Sequence, residues 1–147
     1  MIIKNVSLTQ LLSHPLNNKI YDGNNTAFIN GTAVYSGLVS GDNFTVVGTP
    51  TFLFADKNVG TAKSISVSGY TPPSINYTLT QPTGLTADIT AASLTINGIA
   101  GQNKIYDGNN TAFINGTAVY SGLVSGDNFT VAGTPTFLFA DKNVGTA

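Results

Sequence analysis

The chain has 147 residues and contains no Cys, Trp, Arg or Glu, so disulfides, thiolate nucleophiles and cysteine-based zinc or iron–sulfur centres are excluded. Six Lys face seven Asp for a formal charge of −1, which gives no field to draw a phosphate backbone, and without arginine there is no planar fork to grip phosphate or carboxylate. Hydrophobic residues make up 41% of the chain, enough to build a core, so a folded domain is expected.

In chain order, Met1–Val6 reads as a short leader without the small-residue cleavage site of a signal peptide. A diverged first strand begins at about Ser7, in Ser7-Leu8-Thr9. Leu8 to His14 is too short for a stable helix, and no helix is expected anywhere. Asp22-Gly23 and Asn30-Gly31 tolerate the positive φ of tight turns, and Ser40-Gly41-Asp42-Asn43 and Gly48-Thr49-Pro50 read as further turns. Asn43-Phe44-Thr45-Val46 and Thr51-Phe52-Leu53-Phe54 carry the β-branched and aromatic residues of strands. Ser64 to Ser68, Asn76 to Thr80 and Ser93 to Asn97 alternate polar and apolar residues, the period of a half-buried strand. Pro72-Pro73 and Gln81-Pro82 punctuate them. Short strands at turn spacings of roughly 8–12 residues are the pattern of an all-β fold, a sandwich or a barrel.

Asn18 to Ala62 recurs as Asn103 to Ala147, forty-five residues with the single change of Val47 to Ala132, at an offset of 85. Solenoid repeats run at about 20–50 residues, so this period is a whole small domain. The expected domains are 1–92, a first β-sandwich repeat, and 93–147, a second repeat truncated at its C-terminus because counterparts of Lys63 to Ala92 do not follow. The Ser7-Leu8-Thr9 triplet aligns with Ser93-Leu94-Thr95. Between Ile89 and Leu94 lie only Thr90-Ala91-Ala92-Ser93, a junction without glycine that restrains neighbouring repeats of the chain into a semi-rigid rod. A second unit lacking its last strands is expected to expose strand edges and an apolar face, and therefore to self-associate.

Candidate chemistry is sparse. His14 is the sole imidazole and stands before Pro15 outside the duplicated block, so a triad or histidine-metal site would hang on one diverged residue; it reads as a solvated turn. Asp22, Asp42 and Asp56, with their equivalents Asp107, Asp127 and Asp141, offer loop oxygens of the kind that Ca²⁺ takes in sets of about six to eight. Their spacing fits no EF-hand, and Asp before Gly or Asn is commonly a plain turn former, so Ca²⁺ is the one ion to test and no cofactor is otherwise expected. Lys19 and Lys57 stand near Asn and Asp residues, the ingredients of a Lys–Asn isopeptide bond, against the plainer reading of solvated lysines at strand edges. Tyr21, Tyr35, Tyr70 and Tyr77 with Phe28 would serve a sugar platform if exposed and a core if buried. No stretch approaches the ~18 apolar residues of a membrane helix, so membrane insertion is not expected.

Lys19-Ile20-Tyr21-Asp22-Gly23-Asn24-Asn25-Thr26 resembles the YDG-type repeat, found with related bacterial immunoglobulin-like repeats in large secreted adhesins of the filamentous-haemagglutinin kind. Lys57-Asn58-Val59-Gly60-Thr61-Ala62-Lys63, Asn76-Tyr77-Thr78-Leu79 and Gly84-Leu85-Thr86-Ala87-Asp88-Ile89 follow in that family's order, and Lys104 to Thr111 begins it again. The resemblance implies tandem Ig-like β-sandwich repeats forming the stalk of a secreted or cell-surface adhesin, with the export signal upstream and no catalytic residues to carry over. The alternative is a glycan- or Ca²⁺-dependent binding module in such an adhesin, meeting a host glycan or protein receptor. An enzyme and a nucleic-acid partner are not expected.

Overall fold

A computed structural model of the chain describes residues 3–8 and 16–145, and the chain divides into two compact units, Met1–Ala92 and Ser93–Ala147. All regular structure among the described residues is β. The first unit holds β1 (Lys4–Leu8), β2 (Lys19–Ile20), β3 (Tyr35–Ser36), β4 (Val47–Phe54), β5 (Gly60–Thr71), β6 (Tyr77–Thr80) and β7 (Leu85–Thr90). The second holds β8 (Thr95–Gly101) and β9 (Ile114–Ser121).

The strands of the first unit form a three-stranded sheet, β3-β1-β6, and a four-stranded sheet, β2-β7-β5-β4. Period-two patterning decides which face is covered. Ile65 is buried on β5 between exposed Ser64 and Ser66, and Leu85, Ala87 and Ile89 are buried along β7. Phe52 and Phe54 of β4 join them, with Tyr70 edge-on to Phe52 at 6.2 Å between ring centroids. Ala27 and Ala33 from the long β2–β3 loop complete the core, and Tyr35 and Leu79 of the three-stranded sheet pack against it, so both sheets share one interior. Two pairings are parallel, β1 with β6 and β2 with β7, which joins the N-terminal strands to the last ones and closes the unit on itself.

Several expectations are corrected here. Residues 4–6 belong to β1 rather than to a leader, and Val6 is fully buried. Asn43 to Val46 is not a strand, and Gly48-Thr49-Pro50 is not a turn: β4 begins at Val47 and runs through them on a bulge between Gly48 and Thr51. Glycine and proline inside a strand mark such a bulge because proline donates no ladder bond, and Gly48, at φ +120°, takes the conformation that a side chain would resist. The triplet alignment also moves by two residues. Ser7 pairs with Ser36 and Thr95 with Ser121, the same repeat position, so Thr95 rather than Ser93 is the counterpart of Ser7, and a two-residue shift keeps the same face inward. His14 lies outside the described residues.

In the second unit β8 and β9 form an antiparallel pair. The segment Ile114–Ser121 is an eight-residue strand there, whereas the identical Ile29 to Ser36 forms only the two-residue β3. β8 offers paired positions from Thr95 to Gly101, while among the described residues β1 meets β3 through Ser7 and Leu8. None of the described residues of the second unit is buried.

Candidate functional site

The Lys-x-Tyr-Asp-Gly-Asn segment folds around its own lysine. β2 sets Lys19 opposite Ile89 of β7, and the Lys19 side chain is only 9% exposed. Its Nζ donates to Asp22 Oδ1 at 2.6 Å, to Asn24 O and Asn24 Oδ1 at 3.0 Å, and to Thr26 O at 3.1 Å. The same acceptors brace the backbone, because Asp22 Oδ1 takes the Asn24 N–H at 3.1 Å and Asn24 Oδ1 takes the Thr26 N–H at 2.8 Å. Gly23, at φ +83°, lets the chain turn between them. Beneath lies the Phe54 ring, with Nζ 5.9 Å from its centroid. The loop is zipped onto β4 by Ala27 N–H to Phe52 O at 2.9 Å and Phe54 N–H to Asn25 O at 2.8 Å.

The second unit repeats this arrangement. Lys104 Nζ is 2.7 Å from Asp107 Oδ1 and 2.9 Å from Asn109 O and Oδ1, and it lies 6.0 Å from the Phe139 ring. Ala112 N–H reaches Phe137 O and Phe139 N–H reaches Asn110 O, both at 2.8 Å. Yet Lys104 is in no strand, so the clamp forms without a β7 beside it and is encoded locally by the motif.

The six carboxylates proposed for Ca²⁺ do not converge. Asp22 Oδ1 already faces a cation, the Lys19 ammonium, together with Asn24 O, Asn24 Oδ1 and Thr26 O. Asp56 pairs with Lys63 Nζ at 2.6 Å and caps Asn58 N–H at 2.7 Å. Asp42 accepts the Tyr77 hydroxyl, whose oxygen in turn accepts the Val39 N–H at 2.9 Å. Asp141 caps Asn143 N–H at 2.7 Å, and the Asp127 N–H donates to Val124 O at 2.9 Å. Among the described residues no three His, Asp or Glu side chains gather as a metal would require.

Lys19, Asn24 and Asp22 are in contact as an isopeptide bond would need. Here the Nζ is held by hydrogen bonds to four oxygens, one of them the Asp22 carboxylate, so the arrangement is that of an ionic clamp. The reading of Lys19 as a solvated edge lysine is corrected with it. Of the five aromatics considered for a platform, Tyr70 and Tyr77 are buried, Tyr21 and Tyr35 pack on the core, and Phe28 alone is exposed.

Sequence reasoning missed Asp88. On β7 it accepts the Ala62 N–H at 2.8 Å and the Asn18 amide at 3.4 Å, while its own N–H donates to Asn18 Oδ1 at 2.8 Å. Alternation marks position 88 as outward, which hides that an outward residue on a central strand still ties it to the chain on either side.

Two consequences are measurable. Lys19 holds the Asp22 carboxyl below its ordinary value of 3.8, helped by the Asn24 N–H, and Lys63 and Lys104 do the same for Asp56 and Asp107. Folding therefore favours the ionised carboxylates. Their stabilisation is present above pH ~4 and is lost as pH falls through the lower folded values, so denaturation midpoints are expected to hold from pH 7 to 5 and to drop between pH 4 and 2. Asp22→Asn should flatten that drop; an unchanged profile in the variant would remove Asp22 as a contributor. Separately, Tyr77→Phe strips Asp42 and Val39 of a shared partner, and a loss of about 1–2 kcal/mol in the first unit is expected by denaturant titration. The Asp42 bond also raises the Tyr77 pKa, so this contribution is present below pH ~10 and fades as pH rises past it.

Fold and site together define a tandem all-β repeat protein whose signature motif is a self-braced loop. The model of the YDG domain matches residues 6–84 and 90–147, and the chain belongs to the YDG domain family. No match was found among curated proteins or among solved structures.

Proposed function

We propose that this chain is a structural repeat of a secreted or cell-surface bacterial adhesin, with each complete unit an Ig-like β-sandwich that extends a stalk and projects a binding region for cell adhesion. The observation that carries this reading is the recurrence of one clamp at an 85-residue offset, with the charged groups of the loop turned onto one another rather than toward a ligand. A spacer gains reach by copying a unit, and near-identical copies suit that task better than they suit a binding face tuned to one receptor. The shared core of the two sheets supports the sandwich, and the four-residue junction supports a stiff series of units. Catalysis has no place in this reading.

The test is force spectroscopy on a concatemer of the Met1–Ala92 unit, together with surface labelling of the source cells by antibodies against that unit. Evenly spaced unfolding events and surface label are expected. A glycan array or Ca²⁺ titration that gave specific binding to the same unit would favour the binding-module reading instead, and label confined to the cell interior would overturn both.

A further inference from the structure

Five steps in the chain put glycine directly after Asn or Asp: Asp22-Gly23, Asn30-Gly31, Asn97-Gly98, Asp107-Gly108 and Asn115-Gly116. Glycine has no side chain to shield its backbone nitrogen, so that nitrogen can reach the side-chain carbonyl of the preceding residue wherever the backbone can turn. This is one source of the thermal lability of asparagine. The structure sorts the five. At Asp22 and Asp107 the attack would need a protonated carboxyl, and the Lys19 and Lys104 ammonium groups, 2.6 and 2.7 Å away, hold both ionised. Asn97 and Asn115 stand on β8 and β9, opposite Val119 and Ala100. The glycines that follow them press against the facing strand, since a Cβ built on Gly98 would lie 2.4 Å from Thr117 O and one on Gly116 2.1 Å from Gly98 O. Neither nitrogen can swing toward its asparagine without parting the pair. Asn30 and Gly31 belong to no strand, in an exposed loop pinned to the core on either side by Ala27 and Ala33. Exposure does not single out Asn30, because Asn97 and Asn115 are exposed too. Freedom from a strand ladder does.

We propose that Asn30 is a site of spontaneous deamidation, a self-modification in the loop that leads to β3, and that the fold withholds the same reaction from Asn97 and Asn115. The Gly31 nitrogen gives its proton to hydroxide and attacks Asn30 Cγ. A cyclic imide closes as the Cγ–Nδ2 bond breaks, and Nδ2 leaves as ammonia with a proton taken from water, which returns the hydroxide. Water then opens the ring. Cleavage at Cγ leaves an aspartyl side chain on an ordinary backbone, and cleavage at the main-chain carbonyl leaves an isoaspartyl link. Gly31, at φ +106°, takes a conformation that a side chain would resist, so the position favours glycine and the nucleophile stays unshielded. The product changes the loop. Asn30 Nδ2 donates to Asn17 Oδ1 at 2.7 Å, and a carboxylate has no hydrogen to give there, so conversion breaks the tie between the chain ahead of β2 and this loop and adds a negative charge to it. The repeat carries its own control, because Phe28 to Ala33 and Phe113 to Ala118 are the same six residues. Their intrinsic reactivity is equal, and only the fold can separate them.

The experiment ages the full chain in mildly alkaline buffer, then unfolds it and digests it with trypsin. The fragments Ile20–Lys57 and Ile105–Lys142 differ only in Val47 against Ala132, which separates them by mass. Fragment sequencing by mass spectrometry locates the converted asparagine, and methyl transfer by an isoaspartyl methyltransferase counts the isoaspartyl product. In the folded chain Asn30 is expected to convert at least about tenfold faster than Asn115 or Asn97. In denaturant Asn30 and Asn115 should convert at one rate. Equal rates in the folded chain, or faster conversion at Asn115 or Asn97, overturn the proposal. So does a folded-chain rate at Asn30 more than about tenfold below its rate in denaturant, because the fold would then protect Asn30 as well. Asn30→Gln, whose longer side chain closes the imide slowly, should remove most of the methyl acceptor from Ile20–Lys57, and an unchanged signal there would also overturn the assignment.

Discussion

Phe54→Ala is expected to destabilise the first unit by about 3–5 kcal/mol, whereas Phe139→Ala, at the same place in the repeat, should cost the second unit less than about 1 kcal/mol. Phe54 is buried among Ile65, Leu85, Ala87 and Ile89, so truncation leaves a cavity under two central strands. Phe139 loses little because water already reaches it. Against a typical domain stability of about 5–15 kcal/mol the first change is large enough to expose the whole unit at moderate denaturant. Since the two units open independently on this account, a single unfolding free energy is ill defined, and residue-resolved exchange is the proper measurement. Equal costs at the two positions would mean that Phe139, 40% exposed here, is covered in solution.

That asymmetry also shows how far the sequence could be read. Alternation found β5, β6 and β8, since Ser64-Ile65-Ser66, Asn76-Tyr77-Thr78 and Ser93-Leu94-Thr95 state period two without interruption. Where a strand is defined by its partner rather than by its own pattern, the reading failed. Ile29 to Ser36 and Ile114–Ser121 are the same eight residues with different structures, so no local rule could have assigned both. Thr51 to Phe54 was read as a strand and forms the second half of β4, but the first half hid behind Gly48 and Pro50, whose turn chemistry was spent on a bulge instead. The parallel pairings of β1 and β2 depend on strands more than sixty residues away and left no local trace.

The candidate site was legible in its residues but not in its roles. Asp22, Asn24 and Lys19 stood out as polar residues around a glycine, and that composition suits a calcium loop, a reactive trio or a turn equally well. The distinction rests on the direction of the Lys19 side chain, which follows from β2 lying beside β7 with Phe54 beneath it. A lysine three residues before Asp and five before Asn, ahead of a Thr whose carbonyl also faces the amine, is the pattern that could have announced it.

Lys19→Met should therefore be costly, about 1.5–3 kcal/mol in the first unit. Methionine keeps the stem over Phe54 but removes the Lys19 donor from Asn24 O and Thr26 O, while Asn24 Oδ1 keeps the Thr26 N–H, so the cost comes from lost carbonyl hydrogen bonds rather than from lost charge. The ion pair itself adds little, because Asp22 is 41% exposed and water screens it. Two controls separate these terms. Asp22→Asn should cost less than about 1 kcal/mol of the ion-pair contribution, since its amide oxygen can still accept the Asn24 N–H. Lys19→Arg should fail to restore the wild-type value, because a planar fork cannot direct donors at acceptors gathered around a compact ammonium. Exchange at the Thr26 amide, which donates to Asn24 Oδ1, reports the loop directly and should accelerate in Lys19→Met ahead of global unfolding. If Lys19→Arg were silent and Asp22→Asn as damaging as Lys19→Met, the loop would be held by charge alone, and the carbonyl clamp would not be what the YDG motif encodes.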